Sequence, residues 1–254
     1  MKKTFILNIF ISLCVSGYAQ GSDDEVDPAF YANRFKLNLT AIPLNNYALQ
    51  YERVLKRKSS FAISFRLMPE SKLPFQSQIK RLVADEDVSV QKTVDQLRLS
   101  NFAITPEYRF YFGKGMAKGF YIAPFYRYAS FKSNNIFISY AADLLGTEES
   151  INLSGDLTSH TGGLLFGAHW NLSKRICLDW MIVGPHFGSG DGNFEGLSSR
   201  TLSQSEQQRV RQELENLDIP FTNKTINVNA QGAFLMLDGP WAGIRAGLSL
   251  GINF

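Results

Sequence analysis

Hydrophobic and polar residues alternate, position by position, in eight separate stretches of this sequence. In the last stretch, Ile244, Leu248 and Ile252 fall on one side, whereas the other side is mostly Gly and Ser with Arg245 among them. Successive side chains of a β-strand point to opposite faces, so this pattern predicts eight strands with one apolar face each. The predicted strands are residues 34–42, 47–52, 61–67, 104–112, 120–128, 163–170, 176–182 and 241–254.

The connections between these strands are alternately short and long. The short ones are residues 56–59, 113–118 and 172–174, and the long ones are 69–98, 132–157 and 188–240, with 43–46 as a short member of the second set. Short turns at one end and long loops at the other are typical of outer-membrane β-barrels, whereas a soluble β-sandwich has no reason to separate them. We therefore expect an all-β fold, an eight-stranded antiparallel up-and-down transmembrane β-barrel whose apolar faces meet lipid.

The N-terminus predicts export from the cytoplasm. Lys2 and Lys3 precede an apolar run, residues 5–15, and small residues follow up to Ala19, which is the pattern of a cleaved signal peptide. Cys14 lacks the small preceding residue that lipid attachment needs, so a lipoprotein is the less favoured alternative. The expected organisation is a signal peptide (1–19), a short periplasmic segment (20–33) and an outer-membrane β-barrel (34–254) of a Gram-negative bacterium.

Composition narrows the classes of protein further. Aromatic residues make up 13% of the chain, with 20 Phe, which suits an exported β-barrel. The formal charge is +3 and the chain has no basic block, so nucleic acid is not an expected partner. After removal of the predicted signal peptide only Cys177 is left, which excludes a scaffold held by internal disulfides.

The long loops contain patterns of their own. The predicted elements are short helices within residues 77–97 and 207–217, and a surface hairpin made of 225–228 and 233–237. Ser203 and Glu206 form a capping box in front of the second helix. We interpret the helices as packing over the barrel mouth, with a receptor or adhesin surface as the alternative.

Ionisable residues occupy several positions that are predicted to face the barrel interior. They are Glu52, Glu107, Arg109, Arg127, Asp179 and Arg245, with Lys36 and His169 near them. The interior of an eight-stranded barrel is just wide enough for side chains, and buried charges need partners, so we interpret these residues as a structural charge network that fills the lumen. Their distances from the turns place Arg127 and Arg245 higher than the other four. Acid–base chemistry and a water-lined pore are the alternatives.

Two groups of residues contain the side-chain types of a hydrolase. They are His186 with Ser189 and Asp191, and Ser159 beside His160. His186 and Ser189 are three residues apart and would point to opposite faces of a strand, and no nucleophile elbow surrounds either serine. We expect no catalytic residue. A lipid-modifying barrel enzyme, a lipid A hydrolase or acyltransferase, is the enzyme alternative.

The stretch from Asp191 to Gly196 resembles the start of a calcium-binding loop. Asp191, Asn193 and Glu195 have the required spacing, but the closing position, which needs a bidentate Glu, is Leu202. We therefore interpret this stretch as a polar turn and expect neither a metal nor a cofactor.

Three segments carry a resemblance to a known family. They are GPWAGIRAGLSLGINF at the C-terminus, RQELENLDIP before it, and ITPEYRFYFGKG with KGFYIAPFYRY further upstream. From about Phe35 to Phe254 the sequence resembles the uncharacterised Bacteroidota family of small, OmpA-like outer-membrane β-barrel proteins, a family of the domain-of-unknown-function type. The resemblance implies an eight-stranded barrel whose last residue, Phe254, belongs to a signal that the barrel-insertion machinery reads. It implies no activity.

The expected function is a structural or surface-interaction role in the outer membrane, without catalysis, and a narrow solute channel is the transport alternative. The expected partners are outer-membrane lipid, lipopolysaccharide and, during insertion, the barrel-assembly machinery. The sequence leaves the ligand of the loops and the oligomeric state open.

Overall fold

The computed structural model describes residues 31–83, 88–141, 148–217, 219 and 221–254. The predicted signal peptide, residues 1–19, lies outside the described residues, as do residues 20–30 of the predicted periplasmic segment. Asn33, at the end of that predicted segment, already belongs to the first strand.

Nine strands and three α-helices are present in the described ranges. The strands are β1 (Asn33–Asn38), β2 (Tyr47–Lys56), β3 (Ser59–Lys72), β4 (Arg98–Tyr111), β5 (Gly119–Ala141), β6 (Glu148–Asn171), β7 (Ile176–Leu197), β8 (Asn223–Asn229) and β9 (Gly232–Asn253). The helices are α1 (Gln76–Leu82), α2 (Val88–Gln96) and α3 (Gln204–Asn216), and a 3-10 turn (Ile42–Leu44) follows β1. No helix in these ranges combines the length and the apolar character needed to cross a membrane.

The strands form one antiparallel sheet that closes on itself. Each of β1 to β7 pairs with its neighbours in sequence, β7 pairs with β9, and β9 pairs with β1 from Arg34↔Asn253 to Asn38↔Ser249. This closure gives a ring of β1 to β7 and β9. Among the described strands, the remaining one, β8, pairs with β9 alone, from Asn223↔Asp238 to Asn229↔Gly232.

The predicted all-β antiparallel fold is confirmed, but the described residues form nine strands rather than eight. The residues of the predicted surface hairpin do pair with each other, as β8 and the first part of β9. The second arm of that hairpin then continues without a break into the last strand, so β9 begins at Gly232 and not near Trp241. Because β7 pairs along one whole edge of β9, β1 and β8 occupy different parts of the other edge.

The two faces of the ring have the chemistry that the alternation predicts. On β2 and β3, Leu49, Phe61 and Phe65 point outward and are exposed, whereas Glu52 and Ala62 point inward and are fully buried. The tight turns at residues 57–58, 112–118 and 172–175 all lie at one end of the ring, which we call the lower end. The longer connections lie at the opposite, upper end.

The strands differ greatly in length. β1 and β2 have 6 and 10 residues, whereas β5, β6, β7 and β9 have 22 to 24. At about 3.3 Å per residue, the long strands continue roughly 30 Å past the upper end of β2. We call this continuation the upper wall; it consists of residues 133–141, 148–157, 190–197, 223–229 and 232–240. The other strand residues make up the ring.

Two of the predicted long loops are therefore largely strand. Most of residues 132–157 belongs to β5 and β6, and much of residues 188–240 belongs to β7, β8 and β9. A bulge interrupts the alternation in β5, where the register shifts between Ser133 and Ile136 and Asn135 has a φ of 66°. A second bulge in β7, between Met181 and Gly184, moves the inward side from odd to even positions. Because these bulges interrupt the alternation, a period-two pattern in the sequence does not identify the continuing strands.

The upper wall is covered on its inner face by α3. An apolar cluster includes Ile151 and Leu153 of β6, Leu235 of β9, and Val210 and Leu214 of α3, all buried. The predicted capping box is present: Ser203 Oγ accepts from the Glu206 N–H at 3.3 Å, and the Ser203 N–H donates to Glu206 Oε2 at 2.8 Å. The helix is thus fixed on an extension of the sheet.

Candidate functional site

Charged side chains converge inside the lower part of the ring. The inward positions of β1, β2, β4, β6 and β7 carry Arg34 and Lys36, Gln50 and Glu52, Glu107 and Arg109, His169, and Asp179, respectively. All of them are buried. Closure of the sheet brings the first and the later strands together, so Lys36 of β1 contacts Asp179 of β7, 143 residues further along the chain.

Glu52 is one acidic centre of this network. Its carboxylate contacts three cations: Arg34 Nη1 at 3.2 Å, Arg109 Nη1 at 3.4 Å, and Lys36 Nζ. It also accepts hydrogen bonds from Ser60 Oγ at 2.6 Å and from the Tyr111 hydroxyl at 2.5 Å. Both oxygens therefore have several donors, which is what an ionised carboxylate requires when it is removed from water.

Asp179 is the second acidic centre and shares two of these cations. It contacts Lys36 Nζ and Arg109 Nη1, and it accepts a hydrogen bond from the Tyr121 hydroxyl at 2.8 Å. His169 Nδ1 lies 3.4 Å from Asp179 Oδ2, but without the geometry of a hydrogen bond. The guanidinium of Arg109 also lies over the Tyr121 ring, 4.4 Å from its centroid.

Glu107 is the third acidic centre and connects the network to β9. It accepts from Arg109 Nε at 2.7 Å, from Gln50 Nε2 at 3.1 Å, and from Arg245 Nη1 at 3.0 Å. Gln50 in turn accepts from Arg109 Nη2 at 2.9 Å through its Oε1. Three carboxylates and four cations thus form one connected set, and Arg109 contacts all three carboxylates.

Five of the six charged residues predicted to face the lumen meet in this network, and Arg127 does not. Its Nη1 donates to Thr105 Oγ1 at 3.1 Å, and none of the ion pairs found in the described ranges includes it. Arg127 lies higher, as predicted, because it pairs with Thr161 in the middle of β6. Arg245 also starts from a higher level, but its long side chain reaches down to Glu107.

Several members of the network are missing from the sequence prediction. They are Arg34, Gln50, Ser60, Tyr111 and Tyr121. Each has the inward parity of its strand, and that parity is the signal that identifies them. The two tyrosines escape notice because aromatic residues in such a chain are expected to face lipid, whereas here their hydroxyl groups are inside the ring.

The network contains one group of possible metal ligands. Glu52, His169 and Asp179 bring ligand atoms within 4.8 Å of one another. Lys36 Nζ already contacts both carboxylates, and Arg109 and Arg34 add further positive charge. A divalent cation there would face three fixed cations, so these residues suit ion pairing and not metal binding.

The residues with hydrolase-type side chains do not come together. Ser159 is buried on the inner face, whereas His160 next to it is exposed and bonds to the Tyr126 hydroxyl at 2.5 Å. His186 faces inward and Ser189 outward, on opposite sides of β7 as their spacing predicts. The predicted polar turn at 191–196 is wrong, because these residues belong to β7 and pair with both β6 and β9.

A second polar cluster fixes α3 at the upper end. Arg200 Nη2 contacts Glu149 Oε2 at 2.9 Å and also contacts Glu206. The hydrogen bonds from Arg200 and Ser203 lower the pKa of Glu206 to about 2. Burial and a hydrogen bond to Glu149 raise the pKa of Tyr140 to about 12. This cluster is built for attachment of the helix.

Comparison with known proteins identifies the family of this chain but no activity. A search of curated proteins finds no match. One family model matches residues 9–210, from the N-terminal region into α3, and the segment of β9 that carries the resemblance lies outside that range. The predicted relationship to an uncharacterised family is nevertheless confirmed. The chain belongs to the family described as "Protein of unknown function (DUF3575)".

Proposed function

We propose that this protein is an outer-membrane β-barrel of a Gram-negative bacterium, with a structural or surface-interaction role and no catalytic activity. The observation that carries the proposal is the inverted polarity of the ring, which has large apolar side chains outside and ion pairs inside. A water-soluble closed sheet has the opposite arrangement, because its apolar residues gain by leaving water.

The outer face supports contact with lipid over the whole circumference. Large apolar side chains that point outward are exposed on every strand of the ring; examples are Phe35, Leu49, Phe65, Phe110, Phe120, Phe166, Ile176 and Ile244. Ile244 is 73% exposed and Phe120 is 61% exposed, which is a heavy cost in water but favourable in hydrocarbon. Closure of the ring pairs backbone groups that lipid does not solvate.

The interior supports a closed barrel in preference to a channel. The buried side chains of Lys36, Arg109, Glu52 and Asp179 meet one another across the ring. Water-filled pores need many more strands than eight, because the diameter of a barrel grows with its strand number. We therefore favour a structural plug over the narrow solute channel.

The finer parts of the proposal concern the family and the ends of the chain. We propose an OmpA-like barrel of the Bacteroidota type, with a cleaved signal peptide at residues 1–19. Phe254 is proposed as part of the signal for the barrel-assembly machinery; its N–H and C=O pair with the backbone of Asn33 at 2.9 and 3.1 Å. Lipid and lipopolysaccharide are the proposed surroundings of the ring.

Variants at Phe65 test the membrane location. Phe65 lies midway along the part of β3 that belongs to the ring and is exposed on its outer face. We expect Phe65→Arg to cost about 2–4 kcal/mol of stability in lipid vesicles, since it places a charge against hydrocarbon. Phe65→Leu is the matched control and keeps the face apolar. Equal stability of the two variants, or a wild type that stays in solution without detergent, contradicts the proposal.

Electrophysiology and lipid analysis test the role. Purified protein in planar bilayers is expected to give no steady single-channel current, because the charge network fills the lower part of the ring. Cells that overproduce the protein are expected to keep an unchanged lipid A profile by mass spectrometry. Steady conductance would favour the channel, and altered acyl chains or phosphates on lipid A would favour the lipid-modifying enzyme.

A further inference from the structure

The interior of the ring directly above Glu107 contains three arginines. Arg66 on β3, Arg127 on β5 and Arg245 on β9 occupy inward positions of three different strands. The guanidinium group of Arg245 lies over the ring of Phe125, 4.5 Å from its centroid, and Phe125 is the inward residue of β5 next to Arg127. Arg66 and Arg127 are also within electrostatic range of Arg245. We call these three residues the arginine cluster.

The arginine cluster has fewer acidic partners than the network below it. Arg245 contacts Glu107 at 3.0 Å, but Arg109 binds the same carboxylate. Arg66 Nε donates to Asn46 Oδ1 at 2.7 Å, and Arg127 donates only to Thr105 among the bonds identified in the described ranges. Within those ranges, neither Arg66 nor Arg127 has a carboxylate oxygen within 4.0 Å.

This shortage of negative charge occurs in a confined space. Arg127 is only 8% exposed and the side chain of Arg245 only 10% exposed. A buried cation without a counter-charge is unfavourable, and like charges that are held close together add to the cost. The position therefore favours a negatively charged group supplied from outside the chain.

The surroundings of the arginine cluster also supply uncharged donors. His186 faces the same space, packs edge-on against Phe125 with the ring centroids 6.0 Å apart, and interacts electrostatically with Arg127 and Arg245. Its Nδ1 is buried and has no hydrogen-bond partner among the residues that the structure describes. Thr105 adds a hydroxyl group. Several donors, with no free carboxylate among the described residues around them, are the composition of an anion site.

We propose that Arg66, Arg127 and Arg245 bind a multiply charged oxyanion of the phosphate class inside the upper part of the ring. The planar guanidinium group matches the oxygens of phosphate through paired N–H donors, and three of them neutralise more charge than chloride carries. The ligand enters from the upper end. There β1 and β2 end early, so the upper wall does not extend over the side of the ring next to Arg66. The inference concerns the interior of the ring and does not depend on the membrane location.

Calorimetric titration of the purified full-length protein in detergent with inorganic phosphate tests this proposal. Chloride at constant ionic strength and pH serves as the reference. We expect one phosphate per chain and a higher unfolding temperature in phosphate than in chloride. Arg66→Gln and Arg127→Gln should each weaken phosphate binding at least tenfold. Arg175→Gln removes an exposed charge in a lower turn and should bind as the wild type does.

Unfolding of Arg127→Gln separates a binding role from a structural one. Without phosphate, this variant should unfold at the same temperature as the wild type or higher, because a repulsive charge is gone. Phosphate, which raises the unfolding temperature of the wild type, should then leave the unfolding temperature of this variant unchanged. If Arg127→Gln does not fold, the less buried Arg66→Gln carries the same test. Absence of phosphate binding to the wild type at millimolar concentration, or equal affinity in both variants and the wild type, overturns the proposal.

Discussion

The inner face of the sheet changes its chemistry between the ring and the upper wall, although the same strands form both regions. In the ring, β6 and β7 contribute His169 and Asp179 to a network of buried ion pairs. In the upper wall, β6 contributes Ile151 and Leu153 to an apolar cluster that also contains Leu214 of α3. One continuous strand thus carries a polar interior at its lower end and a hydrophobic core at its upper end.

The difference shows that the residue types on the inner face of a sheet depend on what that face packs against. In the ring the sheet is its own partner, and inward side chains from opposite strands must neutralise one another in a narrow space. In the upper wall the sheet is open, so its inner face buries apolar area under a helix as in a water-soluble protein. Under the proposed function, only the first region meets lipid with its outer face.

Removal of Arg109 is expected to have the largest effect and to act on the ring. Arg109→Ala leaves Glu52, Glu107 and Asp179 with one cation fewer, and breaking a buried pair typically costs about 3–5 kcal/mol. Urea unfolding in detergent measures the loss. The double variant with Glu107→Ala should recover part of it, because that carboxylate then needs no partner.

The control for Arg109 is Arg53, an exposed arginine at the lower end that donates to Asn33 Oδ1 at 2.9 Å. Arg53→Ala should change the stability by less than about 1 kcal/mol. Equal stability of Arg109→Ala and the wild type would mean that water already compensates the charges, and the ring would then not be a plug.

Truncation of Leu214 is the matching change in the upper wall. Leu214 of α3 is fully buried, and Leu214→Ala is expected to cost about 2–5 kcal/mol through a cavity in the apolar cluster. Hydrogen exchange should show faster exchange in α3 and β8 and unchanged exchange in the ring. Glu213→Ala, on the exposed side of the same helix, should leave both regions unchanged. Faster exchange throughout the ring would show that the two regions are one cooperative unit.

Acid should release α3 before it affects the ring. The pKa of Glu206 is lowered to about 2 from an ordinary value near 4.5, so its contribution is complete above about pH 4.5 and is lost as the pH falls towards 2. Hydrogen exchange of α3 as a function of pH measures the release. Glu206→Gln should show weaker attachment at neutral pH and no further change in this window; an unchanged acid response in that variant would assign the effect to other groups.

The smallest expected effect comes from Lys224 of β8. Its ammonium group donates to the carbonyl oxygens of Glu215 at 2.6 Å and Leu217 at 2.7 Å, at the C-terminal end of α3. Lys224→Met keeps the apolar stem and should cost about 0.3–1 kcal/mol, the usual range for a cation at a helix C-terminus. Thermal unfolding of the upper wall, monitored by hydrogen exchange in α3, measures this loss of stability. A loss as large as that of Leu214→Ala would mean that Lys224 has a further role.

The local properties of this protein were determined by its sequence. The period-two alternation identifies the strands of the ring and the inward side of each strand, and this alone places Glu52, Arg109 and Asp179 in the interior. Ser203 and Glu206 identify the start of α3. These predictions succeed because each depends on contacts between residues that are close in the chain or on the geometry of a single strand.

The tertiary structure alone decided which of these residues meet and where the strands end. Lys36 and Asp179 come together because β9 pairs with both β1 and β7, which no local pattern encodes. Arg127 has the same parity as the network residues of its strand, yet it lies too high to reach a carboxylate. The bulges in β5 and β7 break the alternation and so hide the upper wall. The reason is physical. The period-two alternation determines on which face of a strand a side chain lies, whereas the register between strands and the closure of the sheet determine its height in the ring and its neighbours.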